Sequence, residues 1–103
     1  MLVILILRSF MAFIDAQQMK LEHSDTFGAP TKQDLNKLKK GSLVKVCHNN
    51  ERFWTKIQKI EKNKTISFND NITAIVDNDL ICEQPFKLGD TIQFEKRHIF
   101  CTM

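Results

Sequence analysis

Two cysteines and two histidines carry the atoms that a Cys2His2 zinc site needs: Cys47, His48, His98 and Cys101. Their spacing argues against such a site. Cys47 and His48 are neighbours in a predicted strand, where successive side chains point to opposite faces, so they cannot easily hold one ion. Only His98 and Cys101 have a spacing typical of zinc ligands. We therefore predict no metal and no cofactor, and we interpret the cysteines as core residues and the histidines as surface residues.

Patterns that would indicate catalysis are equally weak. Cys47 has no second histidine placed by a recognisable local signature, so a Cys–His nucleophile is not supported. The acidic residues Asp77, Asp79 and Glu83 lack the spacing of a calcium-binding loop. Asp and Asn side chains in loops commonly cap their own turns instead. We therefore predict that the protein is not an enzyme.

The stretch from Glu51 to Ile60 contains the best candidate for a binding surface. Arg52, Trp54 and Lys56 alternate along it, and alternate residues of a strand share a face. Many small β-barrels bind nucleic acid in this way, because the cations meet phosphates while the ring stacks on a base. Acidic residues in the same domain nearly balance the lysines, however, and lysines on a sheet surface also protect its edges.

The adjacent aromatics Phe53 and Trp54 must point to opposite faces of this strand. We predict that Phe53 enters the core. Trp54 then needs a cover on the other face, and we expect it from a helix bearing Leu35 and Leu38 or from the N-terminal residues Phe10, Phe13 and Ile14. The alternative is a Trp54 that remains exposed for a partner.

Helix signals lie before residue 42. Thr31 is a good N-cap, Asp34 completes a capping box, and Gly41 follows the C-terminal end, which together predict a helix from Lys32 to Lys39. A second short helix is compatible with Ala12, Phe13, Ala16 and Met19.

From Ser42 onward the apolar residues recur with a period of two. This predicts five strands, over residues 42–48, 52–60, 65–68, 72–76 and 91–96, with 98–100 closing a barrel. Asn49-Asn50 predicts a tight hairpin turn, because Asn tolerates left-handed backbone conformations. The long loop before the last strand has three predicted buried anchors, Leu80, Ile81 and Phe86. This pattern favours a mainly β fold, a small SH3-like five-stranded barrel preceded by one short α-helix and an N-terminal arm.

We divide the chain into an N-terminal apolar arm and linker, residues 1–29, and a helix and barrel domain, residues 30–103. The apolar run Leu2 to Leu7 is too short for a membrane span of about 20 residues. It also lacks the basic region of a signal peptide, so we do not expect membrane insertion. It is instead a segment packed on the domain, an extension upstream of a start at Met11, or an arm that docks on a neighbouring subunit through Leu2, Ile4, Ile6 and Phe10.

Composition places few limits on function. The 103-residue chain is long enough for one domain, and a net charge of +3 is too small to identify a nucleic-acid binder unless the cations cluster. Three cysteines without a Cys-x-x-Cys pair fit a reducing compartment. We therefore predict a cytoplasmic location, or an assembly formed there.

Four stretches recur in order in a group of small proteins: Leu38–Val46, Glu51–Ile57, Ile75–Leu80 and Phe86–Ile99. Through them, Pro30–Phe100 resembles the bacterial domain of unknown function DUF2314, whose members have a helix ending in a Lys-Gly-Asp-type turn and then a hairpin with a Glu-Arg-x-Trp motif. Ser42 and Ala74 depart from the pattern, which prefers Asp and Gly there. The resemblance implies an SH3-like barrel and no established chemistry.

These observations favour a non-enzymatic protein-interaction module, a minor structural subunit of a larger assembly such as a virion. Its expected partners are another protein or its assembly neighbours. The alternative is a nucleic-acid-binding small β-barrel that uses the face of Arg52, Trp54 and Lys56.

Overall fold

The computed structural model describes residues 13–103, so the predicted contact residues Leu2, Ile4, Ile6 and Phe10 lie outside the described part of the chain. In chain order it contains α1 (Ala16–Glu22), α2 (Lys32–Asn36), β1 (Leu43–His48), β2 (Glu51–Glu61), β3 (Asn71–Val76), β4 (Thr91–Glu95) and β5 (Cys101–Thr102). Short 3-10 helices, Ser67–Asn69 and Lys96–His98, precede β3 and follow β4. The prediction of a mainly β fold is confirmed. No helix within residues 13–103 is long and apolar enough to cross a membrane.

The predicted capping box begins α2. Thr31 accepts a hydrogen bond from the Asp34 backbone, and the Asp34 carboxylate accepts one from the Thr31 backbone. The helix ends at Asn36, three residues before the predicted Lys39. The reason is a turn in which Lys39 and Ser42 exchange hydrogen bonds, which redirects the chain into β1. Gly41 lies inside that turn with φ +94°, a conformation that favours glycine.

The strands form one antiparallel sheet with the order β4-β3-β2-β1-β5. Asn49 and Asn50, with φ of 49° and 63°, make the tight hairpin turn between β1 and β2, as predicted. His48 therefore pairs with Glu51, and Val46 with Phe53. This register keeps alternate residues of both strands on a common face.

Two strand predictions are wrong. Residues 65–68 form no strand, because the Asn63 side chain accepts the backbone N–H groups of Thr65 and Ile66 and turns the chain. Residues 98–100 do not close a barrel either. His98 belongs to the second 3-10 helix, and the following β5 pairs only briefly with β1, at Val44 and Lys45. The sheet of the described residues is therefore open.

The inner face of the sheet carries the core. Alternate residues of β1 to β4 are buried there, as predicted, together with residues from the helices and loops: Phe13, Leu35, Val44, Val46, Phe53, Ile57, Ile72, Ala74, Val76, Phe86, Ile92, Phe94 and Ile99. The prediction for the long loop is only partly right. Phe86 is buried and Leu80 packs against the core, but Ile81 is 94% exposed.

Phe13 packs across the inner face of the sheet. The Phe13 ring lies 5.7 Å from the Phe94 ring of β4 and 5.1 Å from the His48 ring of β1. One ring therefore contacts side chains of two strands that are three positions apart in the sheet.

A buried ion pair joins the end of β4 to the turn before β3. Asp70 and Lys96 are each 1% exposed, and Lys96 Nζ lies 3.1 Å from Asp70 Oδ2. Asp70 Oδ1 accepts the Asn63 backbone N–H at 2.7 Å, and Nζ of the exposed Lys62 lies 3.6 Å from Asp70 Oδ2. Burial alone would raise the pKa of Asp70, but the Asn63 hydrogen bond and the two lysines outweigh it and hold that pKa below its ordinary value.

Candidate interaction surface

The outer face of β1 and β2 carries a group of cations around one aromatic ring. We call Lys45, Arg52, Trp54 and Lys56 the cationic platform. Lys45 lies directly opposite Trp54 in the β1–β2 register. Arg52 and Lys56 are exposed, while Lys45 and Trp54 are partly exposed. The predicted sharing of one face by Arg52, Trp54 and Lys56 is confirmed by the alternating burial of β2.

The cover predicted for Trp54 from Leu35, Leu38 and Phe13 is wrong. Leu35 and Phe13 lie in the core on the opposite face of the sheet, and Leu38 packs against that core. The predicted contact of Phe10 lies outside the described residues. The group over the Trp54 ring is instead the ammonium of Lys45, whose Nζ lies 4.9 Å from the ring centroid. Trp54 remains partly exposed beneath this cation–π contact.

Arg52 is held in a similar way. Its guanidinium carbon lies 4.7 Å from the Phe100 ring and 5.9 Å from the Phe27 ring, and those two rings meet edge to face at 5.3 Å. Phe27 and Phe100 come from chain segments on either side of the strands, so no local pattern predicts this contact. The stacking orients Arg52 without neutralising its charge.

A loop from Asp77 to Asp90 borders the platform. The Trp54 carbonyl accepts the Asp77 backbone N–H at 2.9 Å, and the Trp54 backbone N–H donates to Asn78 Oδ1 at 2.6 Å. The loop therefore continues along β2 beyond the point where β3 ends. Asn78 also donates to the Asp79 carbonyl, but its side-chain oxygen accepts from β2 and not from its own turn. Within residues 13–103 neither Asp77 nor Asp79 caps a turn through its side chain.

Glu51 holds the middle of this loop. Its carboxylate accepts the backbone N–H groups of Ile81 at 2.7 Å and Cys82 at 3.0 Å, and the Gln84 side-chain amide at 3.3 Å. The hydrogen bond from Ile81 lowers the pKa of Glu51; burial opposes this, and the bonds from Cys82 and Gln84 support it. We call this arrangement the Glu51 clamp.

Gln84 also connects the Glu51 clamp to the buried His48. His48 Nδ1 lies 2.7 Å from Gln84 Oε1, and the Gln84 amide donates to the His48 carbonyl at 2.8 Å. The His48 ring is 3% exposed and packs 5.3 Å from the Phe86 ring. The loop is thus fixed to the core as well as to β2.

The clamp keeps an apolar side chain in solvent. The Ile81 backbone is fixed by Glu51, yet the residue is 94% exposed. Three acids surround it in sequence, Asp77, Asp79 and Glu83, and all are exposed. None of these acids forms an ion pair within residues 13–103, and neither do the three cations of the platform. The cationic platform and the acidic loop beside it are therefore adjacent surfaces of opposite charge, and within the described residues neither set of charges is paired.

The interpretation of the cysteines and histidines is reversed by the structure. Cys82 and Cys101 are exposed and Cys47 is only partly buried, whereas His48 is buried. Cys101 lies on the edge strand β5, Cys82 lies in the exposed loop, and Cys47 lies on the outer face of β1, while hydrogen bonding to Gln84 satisfies the buried imidazole.

The described residues supply no metal cluster, and the Cys47 thiol is not activated. No group of three or more His, Cys, Asp or Glu side chains in this part of the chain could hold a metal ion. His98 Nδ1 accepts the Glu95 backbone N–H at 2.9 Å. Burial raises the pKa of the Cys47 thiol, more than Arg52 lowers it, which disfavours the nucleophilic thiolate.

A cleft of about 420 Å³ lies on the other side of the sheet, beside β4. Its ionisable residues are Glu95 and His98, and His98 already accepts a backbone hydrogen bond through Nδ1. Burial also lowers the pKa of His98, more than Asp15 raises it. The imidazole of this cleft therefore has a structural role.

Comparison of the chain with protein-family models, with curated proteins and with solved structures found no match. The resemblance of its motifs to DUF2314 stays a prediction. Arguments about function therefore rest on the platform and the loop beside it.

Proposed function

We propose that this protein is a non-enzymatic protein-interaction module, acting as a minor subunit of a larger assembly such as a virion, and that it docks through the cationic platform. One observation carries the proposal. Trp54 stands partly exposed among three cations that have no ion-pair partner within the described residues. Tryptophan and arginine are the residues that most often dominate the binding energy of protein interfaces.

Contacts of the platform favour protein over nucleic acid. A base stacks on a bare aromatic face, but Lys45 lies over the Trp54 ring, and Arg52 lies over Phe100. Stacking would require these cations to leave. A carboxylate-bearing protein surface can instead pair with the cations where they stand.

The proposal includes the finer fold, an SH3-like barrel. Two features support it: the strands run as a meander whose last strand returns to β1, and the Phe13 ring contacts side chains of both β1 and β4. A small barrel presents a rigid outer face, and rigidity reduces the entropy lost on binding.

Site-specific photo-crosslinking in the cells that make the full chain tests this function. A photo-crosslinking amino acid at position 56 should give discrete protein adducts that survive nuclease treatment. The same group at position 64, an exposed lysine outside the platform, is the matched control. Equal adducts at both positions, or none at 56, would contradict the proposal, and adducts lost on nuclease treatment would favour the nucleic-acid alternative.

A further inference from the structure

The platform lies next to a surface that has the opposite charge. The exposed acids Asp77 and Asp79 stand in the loop that runs along β2, and the platform cations Arg52 and Lys56 stand on β2 itself. Within residues 13–103 none of these four side chains forms an ion pair. Other exposed charges of the sheet are paired, for example Lys59 with Glu61. Unpaired charges of both signs on one continuous face are self-complementary.

We propose that a second copy of this chain binds the platform, with the Ile81 loop of each copy seated on the platform of the other. The inference rests on the proposed protein-interaction function and names the partner. In a two-fold interface the same patch of both molecules is buried, so residue i contacts j while j contacts i. A patch whose acidic half and cationic half are adjacent meets this requirement when the copies are related by a two-fold axis.

The shape and rigidity of the loop fit this role. The Glu51 clamp and the Asn78 side chain hold the loop backbone, so little conformational entropy is lost when it docks. Ile81, 94% exposed, supplies the apolar side chain that would cover the accessible part of the Trp54 ring. Asp77 and Asp79 would then meet Arg52 and Lys56 of the other copy.

Charge reversal tests the inference in a way that a folding defect cannot imitate. Sedimentation equilibrium of the full chain over the micromolar range should show a wild-type dimer that weakens with added salt. Lys56→Glu alone should weaken it about tenfold or more, because the reversed platform repels the acidic loop. Asp79→Lys alone should do the same, because the reversed loop repels the platform. Lys64→Glu, the same charge change outside the platform, should leave the dimer intact.

The decisive experiment mixes the Lys56→Glu variant with the Asp79→Lys variant. A 1:1 mixture should form a heterodimer near wild-type strength. The lysine introduced at position 79 of one variant then faces the glutamate introduced at position 56 of the other. At the second contact the unchanged Lys56 of the Asp79→Lys variant faces the unchanged Asp79 of the Lys56→Glu variant. A wild-type chain that stays monomeric, single variants that dimerise like wild type, or a mixture that stays monomeric would each overturn the inference. Crosslinks from position 56 to a different protein would, in those cases, leave the proposed function standing and reject only self-association.

Discussion

Two buried carboxylates, Glu51 and Asp70, lie at opposite ends of β2. Each attaches a loop to the sheet, but their surroundings differ. Glu51 is the first residue of β2, and Asp70 precedes Asn71, which pairs with the last residue of that strand. Both carboxylates accept backbone N–H groups and so tie a loop to the sheet. Only Asp70 also faces buried charge, in the form of Lys96.

The two ends of β2 therefore have different roles. The Asp70 end stabilises the fold, and the Glu51 end holds the loop beside the platform. Separating Asp70 from Lys96 within the fold would leave two buried charges without partners, which costs several kcal/mol per ion, so this end stays closed. Separating Glu51 from the loop would leave one carboxylate and three neutral donors at an exposed loop, where water can replace the lost hydrogen bonds. The loop beside the platform is therefore held firmly enough to present Ile81, but by bonds whose loss need not unfold the sheet.

Asp70→Ala should give the largest effect. It leaves Lys96 buried and unpaired, and breaking a buried ion pair in this way costs about 3–5 kcal/mol of unfolding free energy. Urea unfolding followed by circular dichroism measures it. Lys62→Ala is the matched control, because that lysine side chain is 72% exposed and its contribution should stay within about 1 kcal/mol.

A double variant identifies the cause of that loss. Asp70→Ala with Lys96→Met removes both charges and should recover part of the stability lost by Asp70→Ala alone, since no buried charge is then left unpaired. A double variant less stable than the single one would show that packing, and not the stranded ammonium, determines the cost.

Glu51→Gln should have a smaller and more local effect. It weakens the charged hydrogen bonds to Ile81 and Cys82, which we expect to cost about 1–2 kcal/mol. Hydrogen exchange should accelerate at these two loop amides and remain unchanged at Asp70. Glu61→Gln, at the exposed other end of β2, is the control. Uniformly faster exchange across the sheet would mean that the Glu51 clamp belongs to the global fold.

Acid should weaken both ends of β2. The pKa values of Glu51 and Asp70 are lower in the folded protein than their ordinary values, so each group adds stability above the unfolded pKa and loses it as pH falls through the folded pKa. Unfolding free energy should therefore decrease below about pH 4.5. Glu51→Gln and Asp70→Asn should each flatten that decrease, and an unchanged pH profile in both variants would contradict the assignment.

The contrast also explains what the sequence could predict. Alternation in β1, β2, β3 and β4, the Asn49-Asn50 turn and the Thr31–Asp34 capping box are local patterns, and the predictions drawn from them are correct. The two buried carboxylates join residues far apart in the chain, such as Glu51 to Ile81 and Asp70 to Lys96, which no local period reveals. The core position predicted for Ile81 is wrong for the same reason. Its hydrophobicity is visible in the sequence, but the hydrogen bond from its backbone to the distant Glu51 is not.

Trp54 shows the same limit on the candidate site. The alternation of β2 correctly predicts its position on the outer face with Arg52 and Lys56. Its cover depends on the strand register, which sets Lys45 opposite it, and on the packing of Leu35 into the core on the other face. The pattern within one strand is enough to predict which face a side chain occupies. Predicting which residue of the next strand contacts it also requires the strand pairing.

Trp54→Ala should have an effect no larger than that of Glu51→Gln. The ring is partly exposed and lies under Lys45 on the outer face, so its loss should cost about 1–2 kcal/mol, well below the cost of emptying an aromatic core site. Thermal unfolding measures this cost, with Phe53→Ala, in the core of the same strand, as the comparison expected to lose about 3–5 kcal/mol. Acrylamide should quench Trp54, the only tryptophan, in the free protein, and Lys45→Ala should increase the quenching because it removes the group above the ring. Dimerisation or binding of another protein through the platform should then protect the ring. A Trp54 that acrylamide cannot reach in the monomer, together with a loss on Trp54→Ala as large as that of Phe53→Ala, would place the ring in the core and remove the platform from the binding surface.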